Sequence, residues 1–487
     1  MAAGRRCLPP MRVLLVNTNR MKPAIAPLGL DYLADALEAA GHEPRLVDLC
    51  FSQDIAADLE AAVRLGAPEV IGVTVRNTDD CYMSGQAFFL PEIKRAIQIL
   101  RGSTTAPIIL GGVGFSVAPM AVMEFCGADF GMAGDAEFAL VEFLRAIEQR
   151  RDWSAVPGLV YRDRGRWRLN PVVPGDMARL PERRRALVDN ARYFREGGQA
   201  GFETKRGCGM RCLYCADPVA KGRTTRCAPP GLVVGELSAL LAQNVDHFHT
   251  CDSEFNLPLE HARAVCQAIV DAGLGGRIRW YAYCAPTPFS DDLATLCRRA
   301  GCVGINFGVD SGCDSMLRRL GRHFTTADLL DTAATCRRHG LASMYDLLLG
   351  GPGETRATVR QTIDLVRRAA PDCVGLSLGV RVYEGTPLAE WVRSQAEVPS
   401  HPDLYGAKEA HPQLLAPVFY VAPGLAEDLV GWVHELVAGD SRFFLPTNTA
   451  THQNYNYNAN ETLVRAIAQG ARGAYWAILR RLRTAAG

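Results

Sequence analysis

The chain has 487 residues, 48% of them hydrophobic and 22% charged, with a net charge of +1 and a pI near 7.5. This is the balance of an ordinary globular chain of two to four domains, and it excludes the strongly basic surface of a nucleic-acid binder. No apolar run reaches the roughly 18 residues that a membrane span needs. The 16 cysteines are scattered and form no disulfide framework, and no apolar stretch follows Met1–Pro10 as a secretory leader would. A reducing cytoplasm is the expected compartment, with neither a membrane nor a nucleic acid as partner.

The first 150 residues alternate between two periods. Met11–Val16 is a continuous apolar run, the pattern of a strand buried on both faces. Leu30–Ala40 repeats as an amphipathic helix, closed by Gly41. Strands are predicted at Glu43–Leu49, Val70–Val75, Pro107–Leu110 and Phe130–Met132. Helices are predicted at Ile55–Leu65, Phe89–Arg101, Ala118–Cys126 and from Gly134 to near Glu148. Five βα units predict a doubly wound parallel sheet, whose ligand site lies at the carboxyl ends of the strands. The loops at that edge carry Asn17, Thr74, Val75, Arg76, Asn77, Gly111, Gly112, Gly134 and Asp135, with glycines to let a large ligand approach the backbone. A dinucleotide is disfavoured, because the first loop lacks G-x-G-x-x-G.

Residues 151–197 form a connector. It contains a hairpin turning at Asp163-Arg164-Gly165 and a Pro- and Arg-rich stretch, 171–185. The run Glu182–Arg185 is expected to be a solvated face or a domain contact. From 198 to 395 six further βα-like units predict a partial or full barrel with its active site at the strand ends. The first of its strands, Phe202–Lys205, leads into Cys208, Cys212 and Cys215 at the spacing C-x3-C-x2-C. Three thiolates on a four-iron cubane leave one iron open to a substrate or cofactor. Zinc is the rival, although zinc sites usually pair one C-x2-C with a second pair, and none is present. Cys266, Cys297 and Cys336 fall in predicted helices as core, while Cys251 and Cys284, near strand ends, are candidates to line the cavity. His247 and His249 share one face of a strand as barrel wall. Residues 396–487 are mainly helical, with helices at Leu425–Val437 and Glu461–Arg483 around an Asn- and Tyr-rich stretch, 448–460, read as a surface loop or lid.

Several of these motifs, taken in order, resemble one family. The C-x3-C-x2-C loop with Tyr214 before its last cysteine, Asp252-Ser253-Glu254-Phe255-Asn256, Gly308-Val309-Asp310-Ser311-Gly312, Gly350-Gly351-Pro352-Gly353-Glu354-Thr355 and Tyr383-Glu384-Gly385-Thr386-Pro387-Leu388 are similar to the strand-end motifs of radical S-adenosylmethionine enzymes. Upstream, Pro27-Leu28-Gly29-Leu30, the Gly111-Gly112 pair and Gly134-Asp135-Ala136-Glu137 resemble the cobalamin-binding domain of the cobalamin-dependent branch. The D-x-H-x-x-G histidine of other cobalamin proteins is missing; His42 is the one histidine before residue 246 and sits at a helix end.

The resemblance implies a [4Fe–4S] cluster on Cys208, Cys212 and Cys215. It implies S-adenosylmethionine on the open iron, near Tyr214, Asp252, Ser253, Asp310, Ser311 and Gly350. Turn capping is the competing role for the Asp and Ser side chains, and Gly350 is expected to serve backbone geometry first. Cobalamin would lie at the nine N-terminal positions named above, with Arg76 facing the cobalt or pairing with Asp79 or Asp80. The implied activity is methylation of an unactivated carbon of a small molecule through a 5′-deoxyadenosyl radical, with flavodoxin or ferredoxin as electron donor. Cyclisation or rearrangement with the same cofactors, non-radical transfer through Co(I), and a non-catalytic carrier are the alternatives.

Overall fold

A computed structural model describes residues 10–411, 413–425, 427–445 and 460–486. They fall into two compact units. One takes the chain up to Arg20 with Pro27–Thr78 and Phe89–Val188, and the other takes Met21–Ala26, Asp79–Phe88 and the chain from Asp189 onward.

The first unit is built on a seven-stranded sheet: β1 (Arg12–Asn17), β2 (Glu43–Asp48), β3 (Val70–Thr74), β4 (Ile108–Gly111), β5 (Phe130–Met132), β6 (Leu159–Asp163) and β7 (Arg166–Leu169). Their order is 2-1-3-4-5-6-7, parallel through β5 and antiparallel thereafter. The apolar runs become central strands because helices cover both faces. Val13 and Leu15 of β1 and Ile109 of β4 pack with Leu33 and Leu37 of helix Leu28–Ala39 and with Leu140, Phe143 and Leu144 of helix Ala136–Glu148. The doubly wound sheet is therefore as expected. The connector hairpin is its antiparallel edge, turning through Arg164 and Gly165, both at positive φ. The run Glu182–Arg185 is only half solvated: Glu182 and Arg184 are exposed. Arg183 and Arg185 are buried on helix Leu28–Ala39, the first stacked 4.3 Å from the Tyr32 ring and the second paired with Asp31 at 2.8 Å. An amphipathic helix with two inward carboxylates needs cations on its polar side, and the connector supplies them.

The second unit holds seven parallel strands: β8 (Ala200–Phe202), β9 (His247–Thr250), β10 (Arg279–Cys284), β11 (Cys302–Asp310), β12 (Ala342–Leu349), β13 (Cys373–Leu378) and β14 (Phe443–Phe444). They pair in chain order from β8 to β14. With β8 and β14 as open edges among the described residues, this is a partial barrel. Helices such as Leu259–Asp271, Thr326–Arg338 and Arg356–Ala369 fill the crossovers. Three local predictions differ. The strand entering the cysteine loop ends at Phe202, and Lys205–Arg206 pairs instead with Arg226–Cys227 as a small ribbon. The last strand of the barrel units, expected over Val374–Val382, stops at Leu378, and Val380–Arg381 joins Leu404–Gly406 and Val418–Tyr420 in a separate three-stranded sheet. The long C-terminal helix is two, Glu461–Ala468 and Tyr475–Ala486, broken where Gly470 and Gly473 take positive φ. Trp476 of the second packs edge-on to Tyr281 at 5.7 Å and donates its indole N–H to Asn306 of β11. Of the Asn- and Tyr-rich stretch, residues 448–459 lie outside the described residues.

Candidate functional site

At the carboxyl edge of the first sheet the strand ends fall in one register row: Asp48, Asn17, Thr74 and Gly111. Strand order reverses between β1 and β3, so the loops after Asn17 and Thr74 flank the crevice where such sheets bind ligands. The nine residues predicted there are gathered at this edge, and several are already used by the protein. Asn17 is fully buried and donates to Asp48 at 2.8 Å. The Thr74 carbonyl accepts from Thr18 at 2.6 Å. Val75 N donates to Gly111 O at 2.7 Å, and Gly114 N donates to Arg76 O at 2.9 Å. Gly112, at φ +102°, leaves no room for a side chain: a Cβ would stand 2.6 Å from the Val75 carbonyl oxygen. Its missing side chain thus seats the Val75–Asn77 loop, a different use from the ligand approach expected of it. Gly134 N donates to Ser116 Oγ at 3.0 Å and Asp135 accepts from Gly175 N at 2.8 Å. His42 precedes β2, at the opposite edge of the sheet, and faces Glu148 at 3.5 Å. Asp79, the alternative partner for Arg76, is held by Arg381 in the second unit at 2.8 Å.

In the second unit the cysteine loop follows β8. Its backbone is tied to two segments: Cys208 N donates to Gly222 O at 3.1 Å and Leu213 N to Leu320 O at 2.9 Å. Burial pushes the Cys208 and Cys212 thiols up, and burial with Asp217 pushes Cys215 up to about 12. All three are free thiols. Among the described residues no three acidic, His or Cys side chains are already drawn into metal-binding geometry.

The other predicted residues separate into two groups. Asp252, Ser311 and Gly350 are committed to the fold. Asp252 accepts from Thr204 N at 2.8 Å, Thr204 Oγ1 at 2.6 Å and Lys205 N at 3.2 Å, clamping the end of β8. Ser311 bonds Thr362 Oγ1 at 3.0 Å and accepts from Cys313 N at 3.2 Å. Gly350 N and Gly351 N donate to Glu354 at 2.5 and 3.2 Å. Tyr214, Ser253 and Asp310 stand instead among ionisable groups. The Tyr214 hydroxyl meets both oxygens of Asp310, at 2.9 and 2.8 Å. Asp310 sits at φ +61° beside a register shift in β11, a strained backbone of the kind that accumulates at functional sites. Ser253 donates to Asp217 at 2.6 Å, and Lys221 lies 3.3 Å from the same carboxylate.

Two side chains without an expected role complete this end of the barrel. Arg322 reaches Cys212 Sγ at 3.0 Å, Asp310 at 3.3 Å and Glu254 at 3.5 Å. Against the cost of burial, Asp310, Tyr214, Cys212 and Glu254 hold it charged. Burial raises the Glu254 carboxyl to about 7, with Arg322 opposing. Glu254 was visible within a motif, but Arg322 stands alone after Gly321 and nothing in its spacing marks it. Gly321 takes φ +76°, and a side chain there would run into the Arg211 carbonyl oxygen, so only glycine brings the arginine in against the cysteine loop. Among the cysteines, Cys266, Cys297 and Cys336 are core as expected. Cys284 is also buried, while Cys251 is exposed. On the neighbouring strands β9 and β10, His249 lies 4.6 Å from the Tyr283 ring, and Tyr283 is 42% exposed.

The chain matches two families of known proteins, the B12 binding domain over residues 15–144 and the Radical SAM superfamily over 202–366. It is 31% identical to the tryptophan 2-C-methyltransferase of Streptomyces laurentii, over 96% of this chain and 95% of that one. It is 25% identical to an uncharacterised methyltransferase of Pyrococcus horikoshii, over 78% and 83% of the two chains. Among solved structures it is similar to the radical S-adenosylmethionine methyltransferase TsrM from Kitasatospora setae with tryptophan and an S-adenosylmethionine analogue bound. That match has 31% identity and a TM-score of 0.87 over 98% of this chain and 99% of that one. The same enzyme has been seen with cobalamin and a [4Fe–4S] cluster, at a TM-score of 0.85 over 98% of this chain and all of that one. The cobalamin-dependent S-adenosylmethionine radical enzyme OxsB shares the fold, with a TM-score of 0.73 at 15% identity over 88% of this chain and 67% of that one.

Proposed function

The chain belongs to the cobalamin-dependent radical S-adenosylmethionine methyltransferases, and from that premise we propose that it methylates a ring carbon of a small aromatic amino acid of the tryptophan kind. Full-length similarity to a tryptophan C-methyltransferase carries this reading. The exposed Tyr283 face backed by His249 supports it, since a planar substrate stacks on such a wall.

Cobalamin supplies a cobalt that carries methyl, and the cluster supplies the open iron beside which S-adenosylmethionine is held. The residues divide the remaining work. Cys208, Cys212 and Cys215 hold three irons. Tyr214 and Asp310 present a rigid acceptor pair to the amino group or ribose of S-adenosylmethionine, and Ser253 with Asp217 adds a second polar contact. Asp252, Ser311 and Gly350 keep the strand ends in place around them. In the first unit, Arg76, Asn77 and the rest of the edge from Asn17 to Asp135 would hold cobalamin, and that edge offers it no imidazole from the unit, because His42 lies at the far edge of its sheet. A flavodoxin- or ferredoxin-type donor in the cytoplasm keeps the metals reduced. Among the described residues no helix is long and apolar enough to cross a membrane.

The test is anaerobic turnover of the reconstituted protein with S-adenosylmethionine and tryptophan, read by mass spectrometry. Monomethylated tryptophan and S-adenosylhomocysteine are expected together. S-adenosylhomocysteine without a methylated amino acid would remove the aromatic substrate but keep methyl transfer; neither product, with any aromatic amino acid, would overturn the reading.

A further inference from the structure

We propose that Arg322 is a positioning residue for the iron–sulfur cluster: its charge and its hydrogen bond to Cys212 make the cluster easier to reduce, while its fork holds Asp310 and Glu254 against the cysteine loop. The proposal rests on the cluster reading above. Three observations point to it.

The first is the contact set. The guanidinium is 5% exposed and shares itself among a future metal ligand and two carboxylates: Nη1 donates to Cys212 Sγ at 3.0 Å, Nε faces Asp310 at 3.3 Å and Nη2 faces Glu254 at 3.5 Å. Nη2 also donates to the Gly308 carbonyl. A planar fork can serve three acceptors in this way, whereas an ammonium acts as a point charge.

The second is that the fold is shaped to admit it. A Cβ on Gly308 would stand 3.0 Å from Nη2. Arg322 N donates to Leu317 O at 2.8 Å, and Leu213 N donates to Leu320 O at 2.9 Å, so the segment carrying the arginine is stitched to the cysteine loop itself.

The third is charge. Asp310 and Glu254 are two acids against this loop, and three thiolates join them once iron is bound. Lys205 acts on Cys208 and Glu254 through its charge, and Arg322 is the cation hydrogen-bonded to a cysteine sulfur. An N–H···S bond draws electron density from the thiolate, and a nearby positive charge stabilises the added electron. Hydrogen bonds to sulfur and net charge are the protein's main controls over a cluster's potential.

The test is a redox titration of the reconstituted full-length protein, with dithionite giving one electron per cluster and electron paramagnetic resonance following the reduced cluster. Arg322→Gln removes the charge, and Arg322→Lys keeps the charge but loses the fork. The Gln variant is expected to show a midpoint shifted to more negative potential than wild type, with a smaller shift in the same direction for Lys. Unchanged midpoints in both variants would overturn the proposal. Should the Gln variant retain no cluster, the Lys variant decides alone: a negative shift supports the role, and a wild-type midpoint shows that the arginine only helps the loop fold. A wild-type protein that assembles no four-iron cluster would instead bring down the functional reading.

Discussion

Tyr214 and Asp310 come from segments 96 residues apart and meet through two short hydrogen bonds. Asp310 reaches the tyrosine because its backbone turns left-handed at the end of β11, and Arg322 then balances the carboxylate. Tyr214→Phe removes one donor to a buried carboxylate, an interaction worth about 1.5–3 kcal/mol. The expected outcome is S-adenosylmethionine binding weakened by roughly 10- to 100-fold, measured by calorimetry on the reconstituted protein, with iron content unchanged. At this scale the sequence was uneven. Spacing marks Cys208, Cys212 and Cys215 as candidate ligands, and following a predicted strand marks Asp310 as a candidate contact. Asp252 and Ser311 carry the same signal, yet the fold uses both to tie strand ends, because Asp and Ser serve turns and ligands with the same oxygens. Arg322 carries no local signal. Its place depends on a glycine conformation and on contacts reaching 110 residues back to Cys212.

Elements were legible where periodicity was strong and less so where tertiary partners decided. In the first sheet β1, β3 and β4 follow apolar runs that burial on both faces explains, whereas β2 is a largely exposed edge strand. The connector looked like a linker because Pro and Arg dominate it, but its arginines complete helix Leu28–Ala39. The segment Asp79–Phe88 shows the same limit: it follows a strand of the first sheet and belongs to the second unit. It is fastened there by Arg381, which bonds Asp79 through Nε and Nη2 at 3.1 and 2.8 Å and also reaches the carbonyls of Val382, Leu414 and Leu415. Removing one partner of such a buried pair leaves an uncompensated charge, which costs about 3–5 kcal/mol. Arg381→Gln is therefore expected to lower the unfolding temperature of the metal-free protein strongly. Adding Asp79→Asn should return part of the loss, and a double-mutant cycle by calorimetry gives the coupling.

For the whole molecule, stability varies with pH through acids whose proton affinity folding raises. Burial raises Asp35 of the first unit to about 6 and Glu354 of the second to about 7, the latter despite the Gly350 and Gly351 amides. Both folded values lie above those of the unfolded chain, so the native state binds more protons between about pH 4 and 7. The stability these carboxyls contribute is full below their unfolded values and is lost as pH rises through 6 and then 7. The unfolding midpoint of the metal-free protein should fall over that interval. In Glu354→Gln the fall should be smaller above pH 6, as thermal scans across buffers would show.

The clasp between Asp79 and Arg381 also has a clock attached. Its two halves are 302 residues apart in the chain. At about 5–20 residues per second, a ribosome delivers the second half roughly 15–60 s after the first. Throughout that interval Asp79 is on the nascent chain without its partner, while the first sheet is completed only at Leu169 and the barrel later still.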